Sequence, residues 1–135
     1  MAGYSGTPLA QKIGIRPGHT LFLDDAPDDL DLGDLAEVTV VRRLPRQADI
    51  TLTFHTTMAS LERRLPQLFD RTVTAGMVWV CWPKKSAQKA LGLTSDLDEN
   101  KIRDLGVELG FVDVKVAAVD DTWSGLKFVR RLADR

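Results

Sequence analysis

Apolar residues fall along this chain in short blocks, and their spacing switches between the strand and helix periods. Leu21-Phe-Leu23 reads as a first strand over about residues 20–24, Val38–Val41 as a second, and Asp49-Ile-Thr-Leu-Thr-Phe54 as a third. Between the first two, Leu30 and Leu35 predict a short helix over about 27–35. Leu61, Leu65, Leu68 and Phe69 then recur at i, i+4, i+7 and i+8, which predicts an amphipathic helix from about 57 to 71. Pro66 inside that pattern predicts a kink or a break. Met77 to Trp82 is a continuous apolar run stopped by Pro83, as suits a central parallel strand covered on both faces. Ser86–Thr94 reads as a loop. A helix over about 97–109 follows, with Ser95, Asp96 or Asp98 as cap and Ile102, Leu105 and Leu109 facing inward. Val112-Asp-Val-Lys-Val116 alternates like a strand near a sheet edge, and Asp120–Gly125 is rich in turn residues, with Gly125 expected at positive φ. Leu126–Arg130 closes as a last strand, antiparallel to its predecessor because the link is too short for a helix.

The ends and joints need separate treatment. Thr7 as cap, Pro8, Leu9 and Ile13, with Gly14 to close, predict a short first helix. The link from Arg42 to Asp49 cannot hold a crossover helix. Either the second strand is an antiparallel edge, or the chain crosses the sheet in extended form.

Composition narrows the class. The chain has 135 residues, enough for one domain, with 18 basic and 19 acidic residues for a net charge of −1. No global field favours nucleic acid or an anionic membrane. The charge is nevertheless uneven, since Asp24 to Glu37 holds seven acids and no base, while Arg42, Arg43 and Arg46 follow at once. That acidic run lacks the ordered ligand spacing of a calcium loop and reads as a solvated face. Cys81 stands alone in an apolar run and reads as a small core residue; neither a disulfide nor a metal site is expected. No stretch is long and apolar enough for a membrane span, and residence in the cytoplasm is the expectation.

The order of elements resembles S-adenosylmethionine-dependent methyltransferases of the Rossmann-like type. The expected fold is therefore a three-layer α/β domain with a mostly parallel twisted sheet and a C-terminal antiparallel hairpin. Four motifs in order, Gly3-Tyr-Ser-Gly-Thr-Pro-Leu-Ala-Gln-Lys12, Trp82-Pro-Lys-Lys85, Val112-Asp-Val-Lys115 and Asp121-Thr-Trp-Ser-Gly-Leu-Lys127, resemble the domain of unknown function 3052 family. Its members are small bacterial proteins, and the resemblance implies a methyltransferase-like scaffold without an assigned activity. One departure from true methyltransferases is plain. Their acidic-x-Gly-x-Gly loop has no counterpart in Asp24-Asp-Ala-Pro-Asp-Asp29, where there is no glycine until Gly33. Glycines would let backbone approach a ligand, and bare helix-start amides would attract anions. No cofactor is expected on that ground, although the fold keeps S-adenosylmethionine in view.

Ligands of open α/β sheets bind outside the carboxyl ends of the parallel strands. That rim should carry Asp24 and Asp25, His55, Lys84 and Lys85, and Trp123 and Ser124. Each has a structural alternative: the aspartates can cap backbone amides, His55 can be a satisfied core histidine, and Trp123 can plug the sheet end against Tyr4-Ser-Gly6. The lysines suit an anionic ligand, and removing both should abolish an anion response without loss of stability. No Ser/His/Asp elbow, phosphate loop or zinc spacing is present. Two functions are carried forward. One is a non-catalytic binding or protein-interaction module whose partner is an unknown protein or a small anionic ligand. The other is a divergent S-adenosylmethionine- or nucleotide-binding enzyme using the rim. An open cavity at the rim favours a ligand, whereas Pro27 and Trp123 filling it favours the interaction module. Exposed sheet edges leave room for a homodimer.

Overall fold

The computed structural model describes residues 8–135. In chain order the elements are α1 (Leu9–Ile13), β1 (Thr20–Asp24), β2 (Thr39–Val41), β3 (Ala48–Phe54), α2 (Met58–Asp70), β4 (Thr72–Pro83), α3 (Lys85–Leu91), α4 (Glu99–Glu108), β5 (Phe111–Ala118) and β6 (Trp123–Arg130). Six strands form one sheet in the order β2-β1-β3-β4-β6-β5. The first four are mutually parallel, and β6 lies antiparallel between β4 and β5. This is the expected mostly parallel α/β sheet with its antiparallel C-terminal hairpin.

Alternation along the strands sorts the core into two layers. One face buries Phe22, Val78, Val80, Leu126 and Phe128 against Leu61, Leu65, Leu68 and Phe69 of α2 and Ile102 and Leu105 of α4. Each of these large side chains contributes about 1.5–3 kcal/mol by leaving water. The other face buries Leu21, Leu23, Ile50, Leu52, Trp79 and Cys81, covered by α1 and by half-buried Leu30, Leu32, Leu35 and Val38. Trp79, fully buried, donates its indole N–H to the Ile13 carbonyl at 3.0 Å and so ties α1 to the sheet centre. Cys81 is buried, and burial pushes its thiol pKa upward, so it is the core residue the sequence suggests.

Several local expectations are corrected. No helix forms over 27–35; that segment is an irregular loop lying on the sheet. Asp31 accepts the Gly33 amide at 2.9 Å, and Gly33 and Glu37 both sit at positive φ, so local side-chain bonding and turns replace the helical ladder. Conversely, Lys85–Leu91 is helical rather than loop, being built of good helix formers and closed by Gly92 in the left-handed conformation. Helix α2 runs through Pro66 without a break. Pro66 and Glu62, whose carbonyl loses its helical donor, both lie on the exposed side, where water serves that carbonyl. Gly125 lies within β6, opposite Cys81, and not at positive φ. Its reason is space, since a Cβ there would come within 2.9 Å of the Trp79 ring.

The junction left open resolves in favour of the extended crossing. β2 is a parallel edge, and Arg42–Gln47 returns across β1 to start β3. Val41 and Leu44 pack into the same layer as α2, so this strap stands where a crossover helix would otherwise lie. Arg71 holds it by donating to the Pro45 carbonyl at 2.9 Å. Asp98 is the cap of α4, accepting the Lys101 amide at 2.8 Å. The Thr7 cap and the contact of Trp123 with Tyr4–Gly6 lie outside the described residues.

Gly106 gives a direct test of the α4 seat. A Cβ there would fall 2.1 Å from Cε1 of the fully buried Phe128 ring. Overpacking costs about 1–3 kcal/mol, against a gain of about 1 kcal/mol in helix propensity. Gly106→Ala is expected to lower the melting temperature by several degrees; an unchanged melt would mean that α4 is free to shift away from the sheet.

Candidate functional site

The carboxyl ends of β1 and β3 meet the first turns of α2, and four elements contribute polar groups there. Asp24 ends β1 and is buried. A buried carboxylate needs charge and hydrogen bonds to replace water, and Arg64 supplies both. Its Nε donates to Oδ2 at 2.9 Å and its Nη2 to Oδ1 at 2.8 Å, a two-point clamp. Arg64 also donates to Gln67 at 2.8 Å, and its guanidinium lies 5.7 Å from the centre of the Phe22 ring. The bond to Asp24 holds the guanidinium pKa above its ordinary value.

Three further side chains extend this pair into a chain with a defined direction. Thr53 donates its hydroxyl to Asp24 Oδ2 at 2.8 Å. Having one proton, Thr53 can only accept from His55 Nε2, 2.7 Å away. His55 is thereby fixed as the tautomer with its proton on Nε2 and its lone pair on Nδ1. That lone pair meets the Ser60 hydroxyl at 2.6 Å. Burial is the main influence on His55 and lowers its pKa below 6.5; the Asp24 and Asp25 charges oppose this, and Arg64 reinforces it.

The chain opens on a cavity of about 690 Å3, walled by Asp24, Asp25, Arg42, His55, Ser60, Arg63, Arg64 and Gln67. Ser60, Arg63, Arg64 and Gln67 follow the i, i+3, i+4, i+7 stripe of α2 beside its apolar stripe. Arg42, immediately after β2, and Arg63 are both exposed, and neither has an ion-pair partner among the described residues. A second cavity of about 380 Å3 shares Asp25, His55 and Ser60 and adds Pro27, Phe54 and Trp123. Trp123 stands edge-on to Phe54, with centroids 5.1 Å apart, and lines the second cavity. Asp25 holds φ at 58°, the left-handed conformation that glycine would take most easily.

Of the residues expected at the rim, Asp24, Asp25, His55 and Trp123 come together around these two cavities. Lys84, Lys85 and Ser124 do not join them. Lys84 precedes α3 and donates its amide to the Thr122 carbonyl at 2.8 Å; Lys85 is the exposed first residue of that helix. Ser124 pairs within the sheet with Trp82 and Ala118. The residues that sequence reasoning missed are Thr53, Ser60, Arg64 and Arg63; Arg42 is read there as part of a basic run but not placed at the rim. Thr53 stands two residues before His55 on β3, and the polar stripe of α2 was the readable signal for Ser60, Arg63 and Arg64.

No family model and no curated protein sequence matches the chain. Solved structures do. Magnesium protoporphyrin IX methyltransferase from Synechocystis PCC 6803 with bound SAH has a TM-score of 0.59 at 12% identity, over 91% of this chain and 78% of that one. A TehB-like SAM-dependent methyltransferase from Corynebacterium glutamicum has a TM-score of 0.58 at 10% identity, over 96% and 91%. The scaffold is methyltransferase-like. The 1,6-didemethyltoxoflavin-N1-methyltransferase of Burkholderia thailandensis, with bound S-adenosylhomocysteine, gives 0.59 at 11% identity over 90% and 74%. At such identities the likeness describes the fold. Among the described residues no helix is long and apolar enough to cross a membrane.

Two outcomes test this network. Arg64→Ala leaves a buried carboxylate without its clamp; hydrogen bonds to charged groups contribute about 1.5–3 kcal/mol, so a loss of about 2 kcal/mol in a denaturant melt is expected. Because the folded chain holds the His55 pKa below 6.5, the unfolded chain binds more protons just below that pH. Stability should be complete above pH 6.5 and fall as the pH drops through it. Melting curves from pH 8 to pH 5, compared with those of His55→Gln, isolate that contribution.

Proposed function

We propose that this protein binds a small anionic ligand at the carboxyl rim of a methyltransferase-like sheet. Of the two functions carried forward from the sequence, this takes the first, a non-catalytic binding or protein-interaction module, and within it favours a small ligand over a protein partner. The observation that carries it is the open cavity of about 690 Å3 whose wall holds Arg42 and Arg63 without ion-pair partners. Guanidinium groups are suited to carboxylate and phosphate, and Arg64, already clamped to Asp24, positions the cavity wall instead of competing for the ligand.

The solved neighbours that carry bound S-adenosylhomocysteine support a cofactor-sized ligand for this scaffold. A divergent S-adenosylmethionine-dependent enzyme is therefore the second reading. Against a glycine-loop mode of binding stand the residues themselves. Asp24 is engaged by Arg64 and Thr53, and Asp25-Ala26-Pro27 places a carboxylate, a methyl and a proline ring where bare backbone would be needed.

A thermal-shift titration with S-adenosylmethionine, S-adenosylhomocysteine, nucleotides and phosphorylated or polycarboxylate metabolites tests the reading. A ligand at a hundred times its dissociation constant adds about 2.7 kcal/mol, a shift of several degrees for a domain of this size. The shift should vanish in Arg42→Ala/Arg63→Ala and persist in Lys84→Ala/Lys85→Ala. The opposite pattern would return the anion site to the lysines, and silence across the panel would overturn the reading.

A further inference from the structure

Ser60 occupies a position that helix capping does not explain. The start of α2 is already capped, with Thr57 Oγ1 accepting the Ser60 amide at 3.2 Å and Asp96 Oδ1 accepting the Met58 amide at 2.8 Å. The Ser60 hydroxyl is therefore left to His55 Nδ1, and the half-buried residue lines both cavities. Behind it the groups run in one direction. Ser60 donates to His55, His55 to Thr53 and Thr53 to Asp24, and Asp24 is pinned by two bonds from Arg64. A hydroxyl at a cavity wall, a base within hydrogen-bond reach and a third group orienting the base form the general arrangement of an activated nucleophile.

We propose that Ser60 is the nucleophile of an acyl-transfer site, with His55 as its base and Thr53 and Asp24 as positioning residues. The substrate class is a carboxylic ester bearing an anionic group, which Arg42 and Arg63 hold; this part rests on the anionic-ligand reading above.

The step balances without a further co-reactant. Ser60 Oγ forms a bond to the ester carbonyl carbon as the carbonyl electron pair moves onto oxygen, and the hydroxyl proton passes to His55 Nδ1. Return of that pair breaks the bond to the alcohol oxygen, which leaves with the proton from Nδ1. Water repeats the sequence on the acyl-serine, releasing the carboxylate and restoring Ser60. His55 serves because its Nε2–H is committed to Thr53, which keeps the lone pair on the serine side and steadies the imidazolium that forms. Arg63, one turn after Ser60 on the same cavity wall, brings positive charge to the region where the oxyanion develops.

The test uses the whole protein and diisopropyl fluorophosphate, a neutral reagent whose reaction does not depend on an anion site. Intact-mass measurement and peptide mapping should show one adduct, formed at Ser60 with loss of fluoride, and none in Ser60→Ala. His55→Gln should slow the labelling by about a hundredfold or more, provided its melting curve shows it folded. The wild-type pH profile needs no such condition. Labelling should be level between pH 7 and pH 8 and fall as His55 is protonated below pH 6.5. Monoesters of dicarboxylic acids with p-nitrophenol should be hydrolysed with a higher kcat/KM than the neutral acetate ester. A folded wild-type protein that stays unlabelled, an adduct that persists in Ser60→Ala, or a rate indifferent to His55 and to pH would each overturn the proposal. Labelling at Ser60 without any thermal response to anions would support the nucleophile while removing the anionic-ligand reading. A thermal response without labelling would do the reverse.

Discussion

The clamp of Arg64 on Asp24 is the interaction on which the rim depends. Asp24 is the last residue of a buried strand, and its charge is tolerable only because a guanidinium arrives from α2 in two-point register. That pairing fixes the rotation of α2 over the sheet, and with it the direction of Ser60, Arg63 and Gln67 on the same stripe. It also fixes an acceptor for Thr53, which settles the tautomer of His55. A single ion pair thus turns a strand end into an ordered polar wall.

The rest of the architecture follows from what the chain does in place of helices. Two parallel connections, Asp25–Val38 and Arg42–Gln47, carry none. The first lies across one face of the sheet with Leu30, Leu32 and Leu35 turned inward. The second lies across the other, held by Leu44 and by the bond of Arg71 to Pro45. The short strap Arg42–Gln47 leaves the rim less crowded than a helix would, since a helix is about 10 Å wide. The cavity bounded by Arg42 on one side and α2 on the other occupies that space.

How much of this the sequence discloses depends on range. Strands β1, β3 and β6 and helices α2 and α4 are legible because each carries its own period, and Asp24, Asp25, His55 and Trp123 are legible because strand ends define the rim. The 27–35 segment misleads because Leu30 and Leu35 suggest a helix, while Asp31, Gly33 and Glu37 commit the backbone to turns. Lys84 and Lys85 mislead because chain order puts them beside a strand end, while neither lines the cavities: Lys84 is tied to the Thr122 carbonyl and Lys85 opens α3. Arg64, Thr53 and Ser60 are harder still. Their roles exist only once a helix 40 residues further along the chain meets Asp24; the polar stripe of α2 marks a face, but not the partner that face meets.

The placement of β6 has a consequence for how this sheet comes into being. β6, which follows β5 in the chain, is not added at the sheet's edge; it fills the slot between β4 and β5. Until residues 123–130 have emerged, β5 has no backbone partner in the sheet and β4 keeps one edge bare. β6 therefore joins the sheet by closing a gap instead of adding a margin. The hairpin of β5 and β6 must enter as a unit or pair in place, and the aromatic stack of Phe69 on Phe111 joins α2 to the far strand.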